Sequence, residues 1–161
     1  TLYCLKEAIT SNFLLLESDL LYERSGLNLL LKSTEKNLIL SSGFTGSQDE
    51  VFIEVDSENR LVNMSKNRSE LHKVYSELVG IIKVSLDLYK TMCAEYESLN
   101  KLKVEYEHML VAASKTEEIK VIKDEDYVWC EIDTEEHYER AKNTIYKSIK
   151  AKETHVKEEA V

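Results

Sequence analysis

The chain has 161 residues, 43% of them hydrophobic, which is enough for one domain with a packed core. Its formal net charge of −9 argues against a nucleic-acid partner, because proteins that bind phosphate backbones are usually basic. No apolar run is long enough to span a bilayer, and no signal-peptide pattern opens the chain. We therefore predict a cytoplasmic protein that binds neither nucleic acid nor membrane.

The three cysteines, Cys4, Cys93 and Cys130, are far apart and lack the CxxC spacing of a zinc site. An odd number of cysteines also argues against a disulfide framework. We interpret them as buried thiols in a reducing compartment.

The start of the chain has the pattern of a helix that is already under way. Leu2, Leu5, Ala8 and Ile9 share one helical face, and no Met precedes them. We therefore expect this sequence to have been cut from a longer protein.

Apolar runs and alternating hydrophobicity predict the strands. A buried strand over 12–17 precedes a short helix over 23–32, and "NLILSS" at 37–42 is a second apolar strand. Alternate residues of "EVFIEVD" are apolar, and the turn "DSEN" leads into "RLVNMSK", so a hairpin is predicted over 50–66. Further strands are predicted at 76–85, 118–123 and 127–132.

Three more helices are predicted from apolar residues at helical spacing. They cover Ser85–Ser98, residues 102–113, and a last segment in which Tyr138, Ala141, Ile145 and Ile149 share a face. The charged tail over 151–161 is expected to fray. Strands alternate with helices at both ends of the chain with a hairpin between them, which is typical of an α/β sheet with an antiparallel excursion.

Two pairs of carboxylates follow predicted strands. Glu17 and Asp19 come after the first strand, and Glu131 and Asp133 come at the end of "YVWCEI". Ligands in open α/β sheets bind beyond the carboxyl ends of strands, and Mg²⁺ prefers hard carboxylate oxygens. The pairs therefore indicate a Mg²⁺ site. The alternatives are that Asp19 is an ordinary polar residue at a strand end and that Asp133 begins a capping box with Glu136.

Several stretches together resemble the sugar-phosphate-type nucleotidyltransferases, and among them the CTP-dependent cytidylyltransferases that act on phosphocholine or 2-aminoethylphosphonate. The stretches are "TLYCLKEAI", "NFLLLESDLLYE", "DEVFIEV", "NMSKNRSEL", "ELVGI", "VEYEHMLVAAS" and "VWCEIDTEEHYERAKNTIY". The resemblance implies a Rossmann-like sheet with an inserted antiparallel hairpin, lacking its first strand–helix units. On this basis, residues 1–150 are the C-terminal portion of the domain.

The resemblance also implies a reaction and its metal site. Asp19 and Asp133 match the positions that hold the catalytic Mg²⁺ in the family, and Glu131 would assist through water. A phosphate or phosphonate oxygen of the acceptor attacks the α-phosphorus of a nucleoside triphosphate, and pyrophosphate leaves. Lys66 is implied to contact the substrate phosphate as a catalytic residue; the alternative is a solvated lysine.

The acceptor of such an enzyme carries an anion and an amine or quaternary ammonium group. Glu105, Tyr106, Glu107 and Trp129 offer the acidic and aromatic groups that attract a cation. The alternative is that the first three form an exposed helix face and Trp129 belongs to the core. Asp49 and Glu50 belong to a motif of the family, but we interpret them as serving the hairpin turn.

One part of the family pattern has no counterpart here. The Gly-rich nucleotide-binding loop, followed by Arg and Lys, does not occur, and "GFTG" at Gly43–Gly46 lacks the basic residues. We expect that loop upstream, and we expect the isolated chain to be inactive. The alternatives are the first part of a bifunctional protein that also carries a 2-aminoethylphosphonate–pyruvate transaminase, and a non-catalytic interaction domain of the same fold.

Overall fold

The structure, a computed structural model, describes residues 2–47, 49–99 and 103–158. These residues form a mixed α/β domain with eight strands and five α-helices. The strands are β1 Phe13–Leu16, β2 Leu20–Tyr22, β3 Leu38–Ser42, β4 Phe52–Val55, β5 Leu61–Ser65, β6 Ser76–Val84, β7 Lys120–Asp124 and β8 Trp129–Glu131. The helices are α1 Ser25–Lys32, α2 Leu86–Ser98, α3 Tyr106–Ala113, α4 Glu135–Arg140 and α5 Tyr146–Glu158.

Strand β6 is the centre of the main sheet, whose order is β5-β4-β6-β3-β7. Eight of its nine residues are buried, as expected of a strand covered on both faces. Strand β3 pairs with it along one side, while β1 and β4 pair with its two ends along the other. The pairing of β3 with β7 is parallel, and the remaining pairs of this sheet are antiparallel.

Alternation along the central strands divides the core into two clusters. On β6, Leu78 and Ile82 join the larger cluster, with residues of α2 and α3, while Val79 and Ile81 join the smaller one, with Leu30 of α1. Because successive side chains of a strand point to opposite faces, the two clusters lie on opposite faces of the sheet. The α/β prediction and the β4–β5 hairpin are confirmed.

A second, two-stranded sheet pairs β2 with β8 and was not predicted. Leu20 lies opposite Glu131 and Tyr22 opposite Trp129 in an antiparallel register. Glu17 and Asp19 follow β1 of the main sheet as predicted, but Glu131 and Asp133 lie at the end of β8 in the second sheet, so the prediction that both acidic pairs lie on one sheet edge was wrong. Strand β2 was missed because its three residues, which come directly after Ser18-Asp19, are too few to show a period of hydrophobicity.

The ends of several helices differ from the predictions. At the start of the chain, Leu2–Leu5 form one 3-10 turn instead of a longer helix, and Thr1 lies outside the described residues. Helix α3 begins at Tyr106; Leu102, where its start was predicted, also lies outside them.

The last helix is longer than predicted. Helices α4 and α5 are joined by a π-helical segment over Ala141–Ile145, and α5 continues to Glu158, well into the predicted charged tail. Residues 159–161 of that tail lie outside the described residues. Of the helices that the structure describes, none has both the length and the apolar character needed to cross a bilayer.

Candidate active site

A cleft of about 1190 Å³ is lined by the β2–β8 sheet, the β3–β4 loop, helices α2 and α3 and the 3-10 turn near the start of the chain. All the site residues predicted from the sequence line it: Asp19, Lys66, Glu105, Tyr106, Glu107, Trp129, Glu131 and Asp133. Nine of the lining residues are Asp or Glu, and three are Lys. The fold therefore gathers these side chains around one strongly acidic cavity.

Three carboxylates in the cleft, those of Asp49, Glu131 and Asp133, are close enough to hold one cation. Each offers an oxygen, and these oxygens lie within 4.8 Å of one another. We call these three residues the acidic trio. Carboxylate oxygens at this spacing fit a hard divalent cation such as Mg²⁺.

Asp133 can belong to the trio because it does not cap helix α4. The N-cap of α4 is Thr134, whose Oγ1 accepts a hydrogen bond from the backbone N of His137 at 3.2 Å. The capping-box alternative for Asp133 was therefore wrong. Its carboxylate faces the cleft, with Nδ1 of His137 at 3.8 Å.

Asp19 lies next to the trio but outside it, within the part of the chain that the structure describes. The backbone N of Ile132 donates a hydrogen bond to the carbonyl of Asp19 at 2.9 Å, which extends the β2–β8 ladder by one step. Asp19 and Asp133 are therefore close neighbours at one end of this sheet. The antiparallel pairing brings the start of β2 to the end of β8.

The electrostatics of the cleft are most evident at Glu131. Burial, together with the negative charges of Glu17 and Asp133, raises the pKa of its carboxyl to about 7. An excess of negative charge in a partly desolvated site is costly unless a cation compensates it. The acidic trio therefore has the charge as well as the spacing for a metal ion.

Asp49 is the site residue that our sequence interpretation missed. It was assigned to the hairpin turn, but that turn is held by Asp56, which accepts hydrogen bonds from the backbone N of Glu58 and Arg60. Asp49 lies in the β3–β4 loop, where its Oδ1 accepts a hydrogen bond from Nζ of Lys66 at 2.6 Å. The stretch "DEVFIEV" had pointed to Asp49 through the family resemblance, but no local pattern did.

Lys66 follows β5 and is exposed on the rim of the cleft. The hydrogen bond to Asp49 raises the pKa of Lys66 above its ordinary value, so the ammonium stays charged. Its flexible stem and compact charge suit contact with a phosphate.

Glu17 and Tyr106 form a half-buried pair in the wall of the cleft. Oη of Tyr106 donates a hydrogen bond to Oε1 of Glu17 at 2.6 Å, which connects α3 to the end of β1. Burial raises the pKa of Glu17 more than this hydrogen bond lowers it. The hydroxyl of Tyr106 is thus already engaged, although its side chain lines the cleft.

The other predicted acceptor contacts differ in their exposure. Glu105 is the N-cap residue of α3, and its side chain makes no capping hydrogen bond. Glu107 has a buried Oε2 with no hydrogen-bond partner among the described residues. Trp129 is only 5% exposed, packs with the smaller core cluster, and donates a hydrogen bond from Nε1 to Oγ of Ser42. Trp129 therefore belongs mainly to the core.

The fold defined by these elements is that of the nucleotidyltransferases. The chain is similar to the inositol-1-phosphate CTP transferase from T. maritima, with a TM-score of 0.73 and 18% identity over 92% of this chain and 60% of that one. It is also similar to the CTP:phosphocholine cytidylyltransferase from Streptococcus pneumoniae, with a TM-score of 0.66 and 15% identity over 88% of this chain and 60% of that one.

A third solved structure extends the likeness beyond enzymes named for CTP. A glucose-1-phosphate thymidylyltransferase described as putative, from Bacillus anthracis, has a TM-score of 0.66 and 11% identity over 87% of this chain and 57% of its own. No family model matches the sequence. The chain thus spans about 60% of the length of the structures it resembles.

Proposed function

We propose that this chain provides the metal and acceptor side of a nucleotidyltransferase that joins CTP to a phosphocholine- or aminoethylphosphonate-type acceptor and releases pyrophosphate. The observation that carries the proposal is the acidic trio at one end of the β2–β8 sheet, in a cleft of about 1190 Å³. Its support is the fold, which is shared with two enzymes whose names state that they use CTP.

The trio fits Mg²⁺ by its donor atoms, its spacing and its charge. We assign Asp49, Glu131 and Asp133 to the ion, with Asp19 beside them. A bound Mg²⁺ would neutralise the charge of the triphosphate and polarise its phosphoryl oxygens.

The chain's own residues would bind and orient the reactants. An oxygen of the acceptor's phosphate or phosphonate forms a bond to the α-phosphorus of CTP, and the bond from that phosphorus to the pyrophosphate oxygen breaks. Lys66, charged and on the rim, would bind the anionic oxygens and reduce their mutual repulsion. Such a reaction needs positioning and charge neutralisation more than a protein nucleophile.

The acceptor's cation is the part that the cleft would recognise most directly. Glu105 and Glu107 lie in the first turn of α3 and line the cleft, and Oε2 of Glu107 lacks a hydrogen-bond donor among the described residues. A buried carboxylate oxygen without a partner is costly. The primary ammonium of 2-aminoethylphosphonate would donate a hydrogen bond to it, whereas the quaternary ammonium of phosphocholine, which has no N–H, would pair with it through charge alone. The uncharged sugar of a sugar phosphate would instead offer these carboxylates no positive charge to pair with.

Binding of the nucleotide in the family's manner needs a Gly-rich loop, and this sequence does not contain one. None of the four glycines belongs to a loop that is followed by Arg and Lys in the family's pattern. We therefore propose that activity requires such a loop from elsewhere in the complete gene product, and that the 161-residue chain alone is inactive. The test should accordingly use the complete gene product.

The experiment is a competition assay with CTP and Mg²⁺. Phosphocholine, 2-aminoethylphosphonate, inositol 1-phosphate and glucose 1-phosphate compete as acceptors, and pyrophosphate release and the nucleotide-linked products are measured. We expect the two acceptors with a cationic group to have the highest kcat/KM. A clear preference for inositol 1-phosphate or glucose 1-phosphate would contradict the acceptor assignment, and no transfer to any acceptor would contradict the activity.

The cation contact is tested in the same assay by Glu107→Gln. We expect this variant to raise KM for phosphocholine while leaving kcat close to that of the wild type, since the residue binds and does not react. Glu95→Gln, a half-buried carboxylate on α2 that does not line the cleft, serves as the control. An unchanged KM for the Glu107 variant would remove that residue from the acceptor site.

A further inference from the structure

Glu77, near the start of the central strand β6, is a buried acidic residue with only 1% exposure. On β6 it lies opposite Ser42, the last residue of β3, and opposite Phe52, the first residue of β4. Glu77 therefore lies next to the two ends of the loop that connects β3 to β4. This loop, which the structure describes at residues 43–47 and 49–51, carries Asp49 of the acidic trio.

The carboxylate of Glu77 binds this loop through two hydrogen bonds. The backbone N of Thr45 donates to Oε2 and the hydroxyl of Thr45 donates to Oε1, both at 2.7 Å. The following residues of β6, Leu78 and Val79, are apolar and belong to the core. An apolar side chain at position 77 would avoid the desolvation cost of a carboxylate, so core packing alone does not account for Glu77.

The base of the same loop is also connected to β8. Ser42 Oγ accepts a hydrogen bond from Nε1 of Trp129 at 2.8 Å, and Trp129 is two residues from Glu131. The two connections arise from different strands and converge on the loop. The Glu77 side chain holds the loop that carries Asp49. The Trp129 side chain connects the base of that loop to β8, the strand that carries Glu131.

We propose that Glu77 is a positioning residue that holds the β3–β4 loop so that the Asp49 carboxylate joins those of Glu131 and Asp133. The inference rests on the metal site in the proposed function. It assigns a role at that site to Glu77, a residue that would touch neither the metal nor the substrate. Support elsewhere in the fold is a second buried acid, Glu54, which accepts a hydrogen bond from the backbone N of His72 and so holds a different loop.

The test compares Glu77→Gln with Glu54→Gln, a matched control at 7% exposure in the same sheet. Mn²⁺, a spectroscopic substitute for Mg²⁺, is titrated into the complete gene product and followed by electron paramagnetic resonance. Loss of a residue that orients a metal ligand typically weakens metal affinity by roughly 10–100-fold. We expect an increase in Kd of about tenfold or more for Glu77→Gln and no change for Glu54→Gln.

A double-mutant cycle identifies the residue through which Glu77 acts. Asp49→Asn should weaken Mn²⁺ binding, and adding Glu77→Gln to it should weaken binding no further. Additive effects of the two substitutions would overturn the proposal, as would an unchanged Kd in a folded Glu77→Gln variant. Equal losses of affinity in the Glu77 and Glu54 variants would also overturn it, because they would indicate general destabilisation.

Hydrogen exchange separates this inference from the metal site itself. The amide of Thr45 donates to Glu77, so exchange in the peptide that covers 43–51 should be faster in Glu77→Gln than in Glu54→Gln, without any metal. Unchanged exchange would overturn the role of Glu77 even if the metal binds as proposed. Failure of the wild-type protein to bind Mn²⁺ would instead overturn the metal site, while faster exchange would still show that Glu77 holds the loop.

Discussion

The carboxylate of Glu17 occupies the space that a β-carbon at Gly80 would need. A side chain at residue 80 would overlap Oε2 of Glu17, and Gly80 has a φ of +80°, which L-residues rarely adopt. Just beside it, the backbone N of Glu17 donates a hydrogen bond to the carbonyl of Gly80 at 3.1 Å. The glycine of "ELVGI" is therefore needed for the close approach of Glu17, and with it for the wall of the cleft.

Replacing Gly80 with Ala should destabilise the fold more than replacing Gly46 with Ala. Both glycines have positive φ, so each variant loses about 1–2 kcal/mol through backbone strain. A β-carbon at Gly46 meets nothing within 4 Å, whereas one at Gly80 meets Glu17. Urea denaturation measures the difference. If Gly80→Ala loses no more free energy of unfolding than Gly46→Ala, the contact with Glu17 is not limiting.

Removing the hydroxyl of Tyr106 should leave the half-buried Glu17 carboxylate without its donor. We expect Tyr106→Phe to lower the free energy of unfolding by about 1.5–3 kcal/mol, the usual contribution of a hydrogen bond to a charged group. Tyr138→Phe is the control, because Tyr138 is 51% exposed. Equal stabilities of the two variants in urea denaturation would show that the bond between Tyr106 and Glu17 contributes nothing to stability.

The metal assignment predicts an order of effects among the acidic residues. Asp133→Asn and Asp49→Asn should each weaken Mn²⁺ binding by at least about tenfold, because each removes a charged oxygen ligand. Asp19→Asn should weaken it less, since Asp19 lies outside the trio. Isothermal titration calorimetry measures the affinities, with Glu35→Gln, an exposed site away from the cleft, as the control.

The opposite order would assign the ion to different residues. If Asp19→Asn abolished binding while Asp49→Asn had no effect, Asp19 would replace Asp49 as a ligand. In the complete enzyme, Asp133→Asn should also reduce kcat by orders of magnitude while circular dichroism shows an intact fold.

The buried position of Glu77 predicts a pH dependence of stability. Burial raises its pKa above the ordinary 4.5, an effect that Glu50 adds to, while the hydrogen bonds from Thr45 and the charge of Arg140 oppose it. As the pH rises from about 4.5 through the pKa of the folded state, the unfolded state gives up this proton more readily than the folded state does. The wild type therefore loses stability over this range of pH.

Glu77→Gln cannot ionise, so it should lack this contribution. The stability advantage of the wild type over the variant should therefore shrink between pH 4.5 and pH 8. Urea denaturation at the two pH values gives both free energies, and other titrating groups cancel in the difference between the two proteins. A difference that is constant or grows with pH would contradict the raised pKa.

The local elements were largely predictable from the sequence. The apolar run of β1, the alternation of β4 and β5 and the helical spacing of α2 are patterns within a few neighbouring residues. They follow from the geometry of a strand or helix with one or two buried faces. Helix α2 even begins as predicted, with Oγ of Ser85 accepting a hydrogen bond from the backbone N of Leu88.

The sequence by itself determined the acidic character of the protein, its α/β architecture and most of its helices and strands, because composition and periodicity are local properties. Only the tertiary structure decided which carboxylates meet. Asp49 joins Glu131 and Asp133 because β6 supports the β3–β4 loop, and Asp19 reaches Asp133 because β2 pairs antiparallel with β8. Such contacts depend on pairing between residues far apart in the chain, and no local period records them.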